Sequence, residues 1–131
     1  MTDLASPPLH HVALGARDVS VVAAFYRDVV GLPEVTRHFS NDGSLRSVWL
    51  ALGAGVMLMV ERTSDEPRAV TGVGSGPFLL AFRIVAEERE RWEERLERAG
   101  APIESRTEKT SYARDPEGNR VGVSFHSLEA S

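Results

Sequence analysis

The order of apolar and polar positions divides the chain into two similar halves. Leu9 to Leu14 forms a short apolar run that stops at Gly15, which predicts a strand. Asp18 stands at a helix N-cap position, and Val22, Phe25, Tyr26 and Val29 follow at helical spacing on one face. Gly31 suits a left-handed C′ residue, and Pro33 forbids continuation of the helix. Three strand-like runs follow, Glu34 to Phe39, Leu45 to Leu52 and Val56 to Val60. Asn41-Asp42-Gly43 predicts the turn between the first two, and Gly53-Ala54-Gly55 the turn between the second and third.

The same order recurs. Phe78 to Ile84 reads as a strand, and Glu87 to Ala99 as a helix with a core face of Trp92, Leu96 and Ala99. Gly100 and Pro102 then repeat the roles of Gly31 and Pro33. Strands are predicted over Ile103 to Thr107, Ser111 to Arg114 and Val121 to Phe125, the last two joined by Asp115-Pro116-Glu117-Gly118-Asn119. Laying Ala13-Leu14 over Ala81-Phe82 gives an offset of 68 residues, so the pattern reads as a duplication. The expected organisation is one domain over 1–131, with module one at 9–62, a Gly- and Ser-rich linker or flap at 63–76, and module two at 77–126.

Composition narrows the function classes. A chain of 131 residues can bury a single core, and its 42% hydrophobic and 26% charged content is that of a globular protein. The net charge is −4, and the arginines of the second helix alternate with glutamates, as in Glu87 with Arg91 and Glu94 with Arg98. That pattern predicts a solvated helix face and argues against nucleic acid as a partner. With no cysteine there is no disulfide, thiolate metal site or cysteine nucleophile. No apolar stretch approaches the roughly 20 residues of a membrane helix, and Met1 to Pro8 lacks a basic start followed by an apolar run. No membrane partner and a cytoplasmic location are therefore the expectation. The serines lack a Gly-x-Ser-x-Gly setting, and Gly72-Val73-Gly74-Ser75-Gly76 precedes a strand instead of the helix that a phosphate-binding loop requires.

Several segments together resemble the vicinal-oxygen-chelate superfamily, which includes glyoxalase I, extradiol dioxygenases, and fosfomycin- and bleomycin-resistance proteins. They are Leu9-His10-His11-Val12-Ala13-Leu14, Ala24-Phe25-Tyr26-Arg27-Asp28 with Gly31-Leu32-Pro33, Trp49-Leu50-Ala51-Leu52-Gly53, and Arg114-Asp115-Pro116-Glu117-Gly118-Asn119-Arg120. The resemblance runs from about Leu9 to His126. It implies an α+β fold of two βαβββ modules forming half-open eight-stranded barrel cups with helices outside, and a homodimer.

Enzymes of that superfamily hold a divalent metal with His and Glu side chains from the first and last strands of each module. By sequence register the corresponding positions here are His11, Leu58, Leu79 and Gly122. His11 alone matches, whereas catalytic metal sites use about three protein ligands. The expected protein therefore binds an apolar or aromatic small molecule in its cup with no cofactor, as in the bleomycin-resistance branch; a divalent metal is the alternative. The other reading is an enzyme, a glyoxalase-like lyase, isomerase or dioxygenase, metal-free or with non-standard ligands. Its catalytic candidates are His11, Tyr112 and Glu61. A third is a subunit or regulator with a vestigial cup.

The expected ligand-binding set is His11, Trp49, Leu58, Leu79, Arg83, Tyr112 and Gly122, with Val56 and Val60 adding to an apolar wall. Each has a plainer alternative. His11 reads equally as a histidine hydrogen-bonded inside the cup, Arg83 as a surface arginine, Tyr112 as wall packing and Trp49 as a core residue. His10 is expected to point away from His11, His38 to be exposed, and Glu61 to face away from Leu58, because strand side chains alternate.

Overall fold

A computed structural model describes residues 3–128. The chain divides into two compact units, with the boundary between Ser64 and Asp65.

The first unit contains strand β1 (His11–Ala16), helix α1 (Val19–Ala24), and strands β2 (Glu34–Phe39), β3 (Leu45–Gly53) and β4 (Val56–Arg62). Its four-stranded sheet has the order β1-β4-β3-β2, with β1 parallel to β4 and the other pairs antiparallel. Asp18 caps α1 by accepting a bond from the Val21 N–H at 3.1 Å. The helix continues as a wider π-helical turn over Phe25–Val30 and ends at Gly31, whose φ of 95° is the left-handed conformation expected of that glycine. Strand β1 starts and ends two residues later than predicted. The difference comes from pairing, since Gly15 and Ala16 lie beside Glu61 and Arg62 of β4.

One face of this sheet carries Val48, Leu50, Leu58 and Val60, all fully buried, and α1 packs against β3 and β4 there with buried Val22, Ala23 and Tyr26. Burying each large apolar side chain contributes about 1.5–3 kcal/mol, so this seam holds most of the unit's core.

The second unit repeats the plan. Strand β5 (Leu80–Arg83) leads through a short 3₁₀ turn, Ala86–Glu88, into α2 (Arg89–Arg98), followed by β6 (Ser105–Arg106), β7 (Thr110–Arg114) and β8 (Arg120–Ser124). The sheet order β5-β8-β7-β6 and the parallel β5–β8 pair reproduce those of the first unit. The chain is thus α+β, two βαβββ modules with four strands each. Asp115 ties the turn before β8: its carboxylate accepts from the N–H groups of Glu117 and Asn119 and from Asn119 Nδ2, each at 2.9 Å.

The second helix differs from the sequence expectation. Leu96 is buried, but Ala99 is exposed and Trp92 only half-buried. Arg89 and Glu93, expected in solvent, turn toward the sheet instead. Ser111 donates to Glu93 at 2.6 Å, and Arg89 donates to the Ser111 hydroxyl and to the carbonyls of Thr107, Glu108 and Thr110. Arg91 pairs with Glu88 and not with Glu87, while the expected Arg98–Glu94 pair is present at 3.8 Å.

Candidate functional site

Each sheet has a second face that its own helix does not cover, and the candidate residues sort by which face they take. In module one the register His11↔Met57, Ala13↔Met59 and Gly15↔Glu61 puts His11, Met57, Met59 and Glu61 on the face opposite α1. Across the β3–β4 pair, Ala51, Trp49 and Ser47 join them.

Leu58 therefore does not belong with His11. It is fully buried in the helix-side core, as is Val60, and Val56 shares their parity. The residues beside His11 on its own face are the thioethers Met57 and Met59. Glu61 shares the face of His11, but four residues along the strand from Met57, roughly 13 Å. The error was one of parity, because a one-residue slip in assumed pairing exchanges the two faces of a strand.

His10 also departs from expectation. It precedes β1, so strand alternation does not govern it, and its Nδ1 lies 2.9 Å from the Nδ1 of His11, with the two rings edge-on. His38 is half-buried against Trp49, ring centroids 4.8 Å apart. The Nε2 of His38 and the Nε1 of Trp49 are both buried with no hydrogen-bond partner. Trp49 thus sits half-buried on the open face.

In module two Tyr112 pairs with Gly122 and Ala81 pairs with Gly122, so these three share the face opposite α2; alternation along β5 adds Arg83, and Leu79, just before the strand, reaches the same face at Gly122. A Cβ at Gly122 would lie 3.3 Å from the Thr110 methyl and 3.5 Å from Leu79 Cδ1. Thr110 is held by a 2.8 Å bond between its hydroxyl and that of Ser124. A side chain at position 122 would therefore start in contact with these two apolar groups. Arg120 stacks its guanidinium 4.2 Å from the Tyr112 ring centroid, a cation–π contact that fixes the orientation of both. Arg83 is exposed, beside Phe125 and His126 at the end of β5.

Met57, Met59 and Arg120 were not singled out by the sequence. The methionines look like core residues until the β1–β4 register is known, and Arg120 looks like one more charged turn residue. A marked electrostatic effect lies on the helix side of module two. There Arg106, bidentate at 2.8 Å, and the Ser111 hydroxyl hold the Glu93 carboxyl down to about 2, against the opposing effect of burial.

The chain belongs to the glyoxalase-like domain family, whose model it matches over residues 11–124, and so to the vicinal-oxygen-chelate superfamily. Among curated proteins none matches. Solved structures with the same fold include the fosfomycin resistance protein FosX from Listeria monocytogenes, at 21% identity, TM-score 0.79 and 95% coverage of both chains. A lactoylglutathione lyase from Agrobacterium tumefaciens has 29% identity and TM-score 0.68 over 96% of this chain and all of the other. A glyoxalase/dioxygenase from Nostoc punctiforme has 19% identity and TM-score 0.75 over 97% of this chain and 99% of the other. The Listeria protein has also been solved with Mn(II).

A divalent ion at a catalytic site calls for about three protein ligands. Among the described residues no three His, Cys, Asp or Glu side chains are grouped to hold a metal. At the positions implied by the family, Leu79 and Gly122 offer no donor atom, and beside His11 stand the His10 imidazole and the thioethers Met57 and Met59, with no carboxylate among them. No helix among the described residues is long and apolar enough to cross a membrane.

Proposed function

We propose that this protein binds an apolar or aromatic small molecule on the open faces of its sheets, without a three-donor divalent metal centre. The observation that carries the reading is the make-up of the face that holds His11, where Met57 is its register partner and Trp49 and Met59 stand one pleat further along. In module one, Trp49, Met57, Met59 and Ala13 give a surface suited to a hydrophobic or planar ligand, with His11 as its polar anchor. Tyr112 and Arg120 supply a corresponding aromatic and cationic edge in module two. A cytoplasmic homodimer belongs to the same proposal, and sedimentation of the purified protein tests the dimer.

Trp49 provides the probe. In a Trp92→Phe background it is the sole tryptophan, and titration with a panel of aromatic and aliphatic compounds should quench its emission saturably after chelator treatment. If no compound in the panel shifts Trp49 emission or the melting temperature, or if binding requires stoichiometric Mn(II), the reading is wrong.

The enzyme reading has one observation in its favour, the shared face of Glu61 and His11. At roughly 13 Å along the strand they would act as separate acid–base groups on different parts of a substrate. Lyase, isomerase and dioxygenase turnover that is lost in both His11→Ala and Glu61→Gln would establish it.

A further inference from the structure

We infer that His10, His11, Met57 and Met59 form a binding site for a soft monovalent cation, Cu(I), on the open face of module one. The site lies within one module and goes beyond the binding of an organic molecule. Thioether sulfur selects Cu(I) over hard divalent ions, and imidazole serves copper well. This face brings the two donor types together. His11 and Met57 are register partners on adjacent parallel strands, and Met59 lies one pleat further along.

The two imidazoles converge. Their Nδ1 atoms are 2.9 Å apart in a hydrogen-bonded contact, and opening it to about 3.3 Å would let an ion sit about 2 Å from each nitrogen at a tetrahedral angle. Without an ion, one Nδ1–H donates to the other Nδ1. With both nitrogens bound to the ion, the donating ring moves its proton from Nδ1 to Nε2. This tautomer change leaves both rings neutral and releases no proton.

The surroundings favour the same chemistry. Met57 stands between His11 and the small Ala51, which leaves its flexible thioether room to turn toward His11, and Met59 stands between Ala13 and Trp49. The carboxylate of Glu61 lies roughly 13 Å further along the strand from Met57, too far to add the oxygen donor that Mn(II) or Mg(II) would require. His11 is exposed and both methionines are half-buried, so the nitrogen side is accessible while the sulfur side is sheltered.

The test is an anaerobic titration of the full chain with Cu(I) against the chromophoric chelator bathocuproine disulfonate, followed by X-ray absorption at the copper edge. The expected result is one Cu(I) retained per chain, with both nitrogen and sulfur in its first shell. His10→Ala and His11→Ala should each reduce retention by roughly tenfold or more. The Met57→Leu/Met59→Leu double variant, which conserves volume, should lose the sulfur shell while its circular dichroism and melting temperature stay close to those of the parent. Complete stripping of the parent protein by the chelator would overturn the proposal. So would a nitrogen-only shell, or Mn(II) or Zn(II) retained as tightly by the same four residues. Trp49 quenching by organic compounds is measured on metal-free protein, so its failure would count against the small-molecule reading and leave the copper assignment standing.

Discussion

The two modules have one topology but join helix to sheet by different means. In module one the seam is apolar: Val22, Ala23 and Tyr26 meet Val48, Leu50, Leu58 and Val60. In module two α2 buries only Leu96, and a polar clamp does the rest, with Glu93 held by Arg106 and Ser111, and Arg89 bonded to the β6–β7 turn. The first seam depends on apolar area and is indifferent to pH. The second depends on a charge and titrates. A duplicated module can therefore keep its strand order while the chemistry joining its parts is replaced, because topology requires only that one sheet face be covered.

The largest expected effect is at the apolar seam. Leu58→Ala should destabilise the protein by about 2–5 kcal/mol, from lost transfer free energy plus the cavity left behind, as read by denaturant unfolding. It should leave ligand affinity unchanged, since the side chain faces away from His11. A loss of binding with little loss of stability would put Leu58 back on the open face and break the comparison.

Next is the polar clamp. Glu93→Gln should cost roughly 2 kcal/mol, the range for hydrogen bonds to charged groups. The pH dependence has a definite sign. Glu93 titrates near 4.5 unfolded and about 2 folded, so its contribution is complete above the unfolded value. It is lost as pH falls from about 4.5 to about 2. Melting temperatures over that window should fall less steeply in Glu93→Gln than in the parent; equal slopes would mean that the clamp does not stabilise the seam.

Gly122→Ala sharpens the comparison on the open faces. The new methyl would meet Thr110 at 3.3 Å, and Thr110 is branched at Cβ and bonded to Ser124. A destabilisation of about 1 kcal/mol is expected from overpacking, relieved by Thr110→Ser. A neutral or stabilising effect would show room at this position that the packing argument denies.

The smallest effect belongs to the outer face of α2. Arg98→Ala removes the 3.8 Å pair with Glu94, both side chains well exposed, and should change stability by less than about 0.5 kcal/mol. A larger cost would mean that the helix relies on its solvated face after all.

Local chemistry was legible wherever neighbours in sequence are neighbours in space. Asp18, Gly31 and the Asp115 turn form caps and bends within a few residues, and the structure places each as the chain predicts. The repeat was legible too. The candidate site of module one was not. His10 could not be placed by alternation because it lies outside the strand, and the polar residues of α2 looked solvated because helical spacing does not reveal which partners the sheet offers.

The order of elements, the duplication and the turn chemistry were determined by the amino-acid sequence, because each rests on periodicity and short-range hydrogen bonds. Which methionine stands beside His11, and whether Leu58 or Glu61 shares its face, depended on the parallel pairing of β1 with β4. That pairing joins segments more than forty residues apart in the chain. Because strand side chains alternate with a period of two, its register alone sets which residues face the helix and which remain open to a ligand.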